Sequence, residues 1–288
     1  MVTDEQERVQ PSGVWATAVG VARVRALETA REDALFRDPV AQAFATAGGL
    51  WPSSARMRED GDEDEAARRR RLAVSFSIVI RTKFLDDLLQ QASASGVRQV
   101  VLLGAGMDSR AFRMDWPEDT RLFEVDTAAP LDFKASVLGQ ERAVARCERI
   151  TVAVDLREDW PGVLAAAGHD PARPTVWIAE GLLIYLPADA VELLLTRIGA
   201  LSAAGSRMGL TLGSRGVIER FGADATPGSA ASLWVSEMPD DPVGWLAGHG
   251  WEADSRTLRE CAAAYGRPVS TPPQREERPG GLISAVRR

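Results

Sequence analysis

The sequence predicts an α/β domain whose parallel sheet is shaped to hold a nucleoside, and three observations carry that prediction. Val100 to Leu103 is an apolar run without polar alternation, as in a strand covered by helices on both faces. Gly104-Ala105-Gly106 stops it abruptly, and glycine there lets the backbone turn tightly and approach a ligand with no Cβ in the way. The next run, Leu122 to Asp126, ends on an acid about twenty residues past the second glycine, where nucleotide-binding sheets place the carboxylate that accepts ribose hydroxyls. Ser109 stands where the dinucleotide fingerprint has its third glycine, so a nucleoside without a pyrophosphate is expected.

The whole chain sets bounds on this reading. Its 288 residues, 45% of them hydrophobic, suffice for one large α/β domain with a sizeable core. A net charge of -7 repels phosphates and argues against a nucleic-acid partner. Cys147 and Cys261 belong to no CxxC or Cys/His cluster, so they read as packing residues and no metal is expected. No apolar run has the length of a signal peptide or a membrane span, which leads us to expect a soluble, cytoplasmic protein with no membrane partner.

Taken in order, residues 1–12 read as a disordered tail. Val14 to Leu35 reads as one or two helices, and Arg37-Asp38-Pro39 as a turn before a short helix through Ala47. Six acids crowd between Arg58 and Glu65, either a solvated loop or a mobile lid. A long helix spans about Ala67 to Gln91, with Val74, Ile78, Leu85 and Leu88 in an apolar stripe on which Arg81 falls. Lys83 lies about 200° away around that helix and reads as solvated. A charge on a buried stripe needs a partner: Arg81 either bridges to a core carboxylate or clamps the carboxylate of a ligand.

Beyond the central strand, Arg110 to Thr120 reads as a connecting loop and Ala128 to Gly139 as a helix. Cys147 to Leu156 is a third strand ending on Asp155, Trp160 to Ala167 a short helix, and Pro174 to Glu180 a fourth strand. One acid at a strand end usually caps the helix that follows. Asp126, Asp155 and Glu180 in succession point instead to one crevice, because the carboxyl ends of parallel strands open on the same side. Pro187 to Ala204 is an amphipathic helix and Arg207 to Ser214 a fifth strand. Residues 215–241 turn to Gly, Ala, Ser and Pro, too long for an ordinary connection, and read as a substrate-side insertion. A helix over Pro242 to His249, a strand over Trp251 to Arg256, a helix over Leu258 to Tyr265 and a strand over Leu282 to Val286 complete the chain.

With these residues placed, the chain resembles the class I S-adenosylmethionine-dependent methyltransferases, and within them the leucine carboxyl methyltransferase-like family. The resemblance rests on Gly13 to Thr17 and Leu35 to Pro39, then on Arg81-Thr82 with Phe84 and Asp86-Asp87. It continues through Leu103 to Arg110, Phe123 to Asp126, Asp155-Leu156 and Ala179 to Pro187, covering nearly the whole chain. It implies a Rossmann-like sheet, mostly parallel with an antiparallel C-terminal strand, under an N-terminal helical cap. The divisions are then a tail and cap over 1–71, a cofactor-binding core over 72–214, the insertion over 215–241 and the last part of the sheet over 242–288. Position by position, it implies that Arg81 binds the methionine carboxylate of S-adenosyl-L-methionine and that Gly104, with Ala105 and Gly106, lines its methionine arm. It further implies Asp126 on the ribose, Asp155 and Leu156 at the adenine and Glu180 near the amino group.

The expected activity is therefore O-methylation of a small-molecule metabolite, on a carboxylate or else a hydroxyl, with Tyr185 touching substrate or serving as a core tyrosine. His169 and His249 sit in turn and helix-end contexts that favour surface or capping roles over catalysis. A nicotinamide-dependent oxidoreductase and a non-catalytic cofactor-binding protein are the rival readings. The oligomeric state and the acceptor have no readable code.

Overall fold

The computed structural model of the protein describes residues 13–50, 65–213, 234–235, 239–269 and 281–288. Among them the chain runs α1 (Gly13–Thr29), α2 (Ala41–Ala47), α3 (Glu65–Ala94), β1 (Gln99–Leu103), α4 (Arg110–Arg113) and β2 (Arg121–Asp126). It continues α5 (Ala128–Gln140), β3 (Glu148–Ala153), α6 (Trp160–Ala166), β4 (Thr175–Ala179) and α7 (Ala188–Ala200). The last elements are β5 (Arg207–Thr211), α8 (Pro242–Gly248), β6 (Trp251–Arg256), α9 (Leu258–Ala264) and β7 (Leu282–Arg287). The sheet order is β3-β2-β1-β4-β5-β7-β6. Strands β1 to β5 pair in parallel, while β7 runs antiparallel to both β5 and β6, as expected of a mostly parallel sheet with a reversed C-terminal strand.

Every residue of β1 and β4 is buried, which explains why their sequences lack alternation. Val100, Leu102, Val176 and Ile178 face a layer that includes Phe44, Ile80, Leu85 and Leu89. Their neighbours Val101, Leu103, Trp177 and Ala179 face the opposite layer with Trp160, Leu164, Leu194 and Leu246. Each such side chain contributes about 1.5–3 kcal/mol on leaving water. The order of strands reverses between β1 and β4, so chain leaves their carboxyl ends to opposite sides and a crevice opens there.

The structure corrects several expectations. Residues 110–113 are not loop but the helical turn α4, closed by bonds from the Phe112 and Arg113 amides to the Ser109 carbonyl. Val74, at the start of the apolar stripe, is 38% exposed, and its preceding neighbours in α3 are exposed too; burial begins near Ile78. Lys83 is half-buried, paired with Asp87 one turn on and 5.3 Å from the Tyr265 ring centroid. His169 is buried, its Nε2 3.0 Å from Thr175 Oγ1 and its ring packed against Phe123 and Trp177. Burial pushes its pKa down to about 4. The tail at 1–12, most of the acidic stretch at 58–65 and most of the 215–241 insertion lie outside the described residues. No helix among the described residues is long and apolar enough to cross a membrane.

Candidate functional site

The crevice begins at the turn after β1. Gly104 has φ +65° and Gly106 φ +41°, a region that residues with a Cβ rarely enter. Space is short as well. A Cβ on Gly104 would lie 2.9 Å from Leu182 Cδ1, and one on Gly106 would lie 2.8 Å from Ala18 Cβ on α1. The turn is tied to β2, since the Gly104 and Ala105 amides both donate to the Val125 carbonyl at 2.9 and 3.1 Å. Asp126 completes the tie, accepting from the Gly106 amide and from the Thr127 amide, each at 2.7 Å. Burial outweighs these two bonds and raises the Asp126 pKa. Its Oδ1 also accepts from the Thr127 hydroxyl at 3.5 Å, which leaves Oδ2 with a second lone pair for a ligand hydroxyl.

The sheet order lines up the predicted residues along one edge: Asp155 beyond β3, Asp126 at the end of β2, the glycine turn beyond β1 and Glu180 beyond β4. Asp155 lies past the end of its strand, because β3 stops at Ala153, and it is engaged by Arg157 through Nε at 3.0 Å and Nη2 at 2.6 Å. The Arg157 bond lowers its pKa. Leu156 is half-buried and packs against the hydrophobic layer that contains Trp160 and Leu164.

Glu180 joins the two ends of the site. Its Oε1 accepts from Arg81 Nε at 3.0 Å and from Thr82 Oγ1 at 3.4 Å, and its Oε2 accepts from Arg110 Nη2 at 2.9 Å. Of the two roles left open for Arg81, the ion pair is thus present, but the side chain is still 21% exposed at the crevice. Burial alone would raise the Glu180 pKa; Arg110 and Arg81 outweigh it and hold the carboxyl below its ordinary value. Gly181 has φ +60°, and a Cβ there would lie 3.1 Å from Arg81 Nη2. Beyond it Tyr185 is half-buried, its hydroxyl donating to Thr17 Oγ1 of α1 at 3.4 Å.

Behind Glu180 lies a charge network that received no role from the sequence. Arg110 is 1% exposed and bonds Asp86, Asp108 and Glu180; Arg113 bonds Asp86 at 2.7 Å; Arg25 bonds Asp38 at 2.8 Å. Ser109, the residue in place of the third glycine, donates to Asp38 at 2.6 Å. Asp108 stays ionised, its pKa brought down to about 2 by Arg110 against the penalty of burial. The available signal was helical spacing: Asp86 follows Thr82 by one turn and adjoins Leu85, which puts an acid on the buried face of α3. The two imidazoles stand apart from the crevice. His169 precedes β4, at the end opposite Glu180, and His249 follows α8 with its Nε2 3.0 Å from Glu192 Oε2.

An arginine and a glutamate 3.0 Å apart, beside a glycine turn and an aspartate, suit a ligand that carries an amino acid at one end and a ribose at the other. Comparisons with known proteins point the same way. The family model described as leucine carboxyl methyltransferase matches residues 18–199. A protein of Streptomyces avermitilis, named as a candidate S-adenosyl-L-methionine-dependent methyltransferase, is 90% identical over 287 residues, covering 100% of each chain. Proteins of the same name in Streptomyces coelicolor and Rhodococcus jostii are 82% identical, covering 100% of each chain, and 43% identical, covering 91% of each. The crystal structure of a DUF574-family protein from Streptomyces avermitilis covers 93% of this chain and 96% of that one, with a TM-score of 0.54 and 15% identity, a likeness of fold.

Proposed function

The chain belongs to the leucine carboxyl methyltransferase family and is an S-adenosylmethionine-dependent methyltransferase, and from that premise we propose that it methylates a carboxylate oxygen of a small molecule. The observation that carries the proposal is the placement of the only two histidines of the sequence, one buried at the far end of β4 and the other paired with Glu192. A hydroxyl acceptor calls for a base in the crevice, and the carboxylates there, Asp126, Asp155 and Glu180, are assigned to the cofactor. A carboxylate is already an anion at neutral pH and needs none, so position and exclusion of water suffice.

The chemistry of the donor set fits the cofactor. Arg81 would hold its carboxylate with the guanidinium fork, and Glu180 Oε1, 3.0 Å from Arg81, would receive the ammonium borne on the neighbouring carbon. Asp126 would accept the ribose hydroxyls, Asp155 and Leu156 would take the polar edge and the face of the adenine, and the turn at Gly104, Ala105 and Gly106 would take the chain between them. When bound, S-adenosylmethionine supplies an electrophilic methyl group on a sulfonium. Tyr185 and Thr17, which join the turn after β4 to α1, stand nearest the open side and are assigned to substrate contact.

The test is a panel of small carboxylic acids and matched alcohols with methyl-labelled cofactor. Label should pass to acids and not to the alcohols. Transfer to alcohols alone would overturn the carboxylate assignment.

A further inference from the structure

The crevice holds a carboxylate, Glu180, that is gripped from two sides by unlike partners. On the open side Arg81 is 21% exposed, whereas on the closed side Arg110 is 1% exposed and has no route to a ligand. Arg110 turns its fork on three carboxylates, Nε on Asp86 at 2.8 Å, Nη1 on Asp108 and Nη2 on Glu180 at 2.9 Å, with Nη2 also donating to the Thr82 carbonyl at 3.5 Å. A carboxylate at a strand end, held only by Arg81, would follow that arginine wherever a ligand drew it. Arg110 prevents this, anchoring Oε2 so that Oε1 stays aimed at Arg81 and Thr82.

Charge balance points the same way. The linked ion pairs contain three guanidiniums, Arg81, Arg110 and Arg113, and three carboxylates, Asp86, Asp108 and Glu180, so their sum is zero, and the neighbouring Arg25–Asp38 pair leaves it so. An amino-acid end carrying one charge of each sign leaves that sum unchanged, and can separate Arg81 from Glu180 by giving each a new partner. A ligand with only one of the two charges leaves a member of the pair stranded.

We infer that Arg110 is a positioning residue for recognition of the cofactor: acting through Glu180, it fixes the carboxylate that receives the ammonium and so makes the site select ligands that carry an amino-acid end. The inference rests on the reading of Glu180 given above. Lysine is a poor replacement, because a point charge cannot hold three carboxylates in fixed directions.

Two ligands read this selectivity without turnover: S-adenosylhomocysteine, and 5′-methylthioadenosine, which keeps the nucleoside and the thioether but lacks the amino-acid end. In calorimetric titrations Arg110→Lys should weaken S-adenosylhomocysteine about 30-fold and methylthioadenosine less than about 3-fold. Glu180→Gln should show the same pattern, and the double variant should bind no more weakly than Glu180→Gln alone. Equal weakening of both ligands by Arg110→Lys, or losses that multiply in the double variant, would overturn the inference. If Glu180→Gln leaves both affinities unchanged, the reading of Glu180 itself fails; if it loses S-adenosylhomocysteine while Arg110→Lys does not, only the positioning role fails. Should Arg110→Lys not fold, Asp86→Asn loosens the far side of Arg110 without touching Glu180. It should shift the ratio of the two affinities the same way by about 3-fold, and an unchanged ratio refutes the role of Arg110.

Discussion

Arg81→Met separates the ion pair that Arg81 makes from the ligand-binding role proposed for it. In the free protein the substitution removes the bond from Arg81 Nε to Glu180 Oε1 at 3.0 Å. Stranding a buried carboxylate costs about 3–5 kcal/mol, but Glu180 keeps Arg110 at 2.9 Å and Thr82 at 3.4 Å. Methionine also places apolar surface on an apolar stripe. The stability lost should therefore be only about 1 kcal/mol. Binding responds differently, because a carboxylate held by a guanidinium fork loses two charge-assisted bonds worth about 1.5–3 kcal/mol each, less the Arg81–Glu180 pair that wild type has to separate. A net of about 2–3 kcal/mol remains, a 30- to 150-fold rise in Kd for S-adenosylhomocysteine. Urea denaturation of the ligand-free variant and calorimetric titration measure the two quantities on one preparation. A stability loss of about 3 kcal/mol or more with unchanged affinity would refute the reasoning and leave Arg81 as a structural ion-pair partner.

Three further outcomes follow from the geometry. Gly106→Ala places a methyl 2.8 Å from Ala18 Cβ at φ +41°, so it should lift α1 from the turn and cost about 2–3 kcal/mol in urea denaturation. Asp126→Ala should weaken S-adenosylhomocysteine and methylthioadenosine alike, by about 1–3 kcal/mol in calorimetry, since the ribose is common to both. It should also lower stability, because the Gly106 and Thr127 amides lose their acceptor. His169 has a folded-state pKa of about 4, below its ordinary value, so the unfolded chain binds the extra proton first on acidification. Its contribution is full above pH ~6.5 and declines as pH falls towards ~4, by at most about 3 kcal/mol. His169→Gln should flatten that window in a pH series of denaturation curves.

The sheet was legible because its chemistry is local. Val100 to Leu103 and Thr175 to Ala179 are buried on both faces, and burial of that kind writes itself as an unbroken apolar run. The glycine turn and Asp126 were legible for a similar reason: a left-handed backbone demands glycine, and a carboxylate that ties two strand ends must follow the second strand. What escaped was pairing across the chain. Arg110 and Glu180 are 70 residues apart, and Arg25 and Asp38 reach the same cluster from α1 and the turn before α2. No periodicity records such a contact, so α4 read as loop and its two arginines were given no partner. His169 was misjudged for the same reason, since a Gly-His-Asp-Pro turn reads as surface until Trp177 and Phe123 are folded over it.

The site is tested most directly by a crystal structure of the protein with S-adenosylhomocysteine. The predicted complex has the ligand carboxylate on Arg81, its ammonium on Glu180 Oε1 and its ribose hydroxyls on Asp126. Arg81 and Glu180, 3.0 Å apart in the free protein, should separate beyond the ion-pair limit of about 4 Å, while Arg110 keeps its hold on Oε2. A complex in which Arg81 remains bridged to Glu180 and the amino-acid end lies on other residues would contradict it.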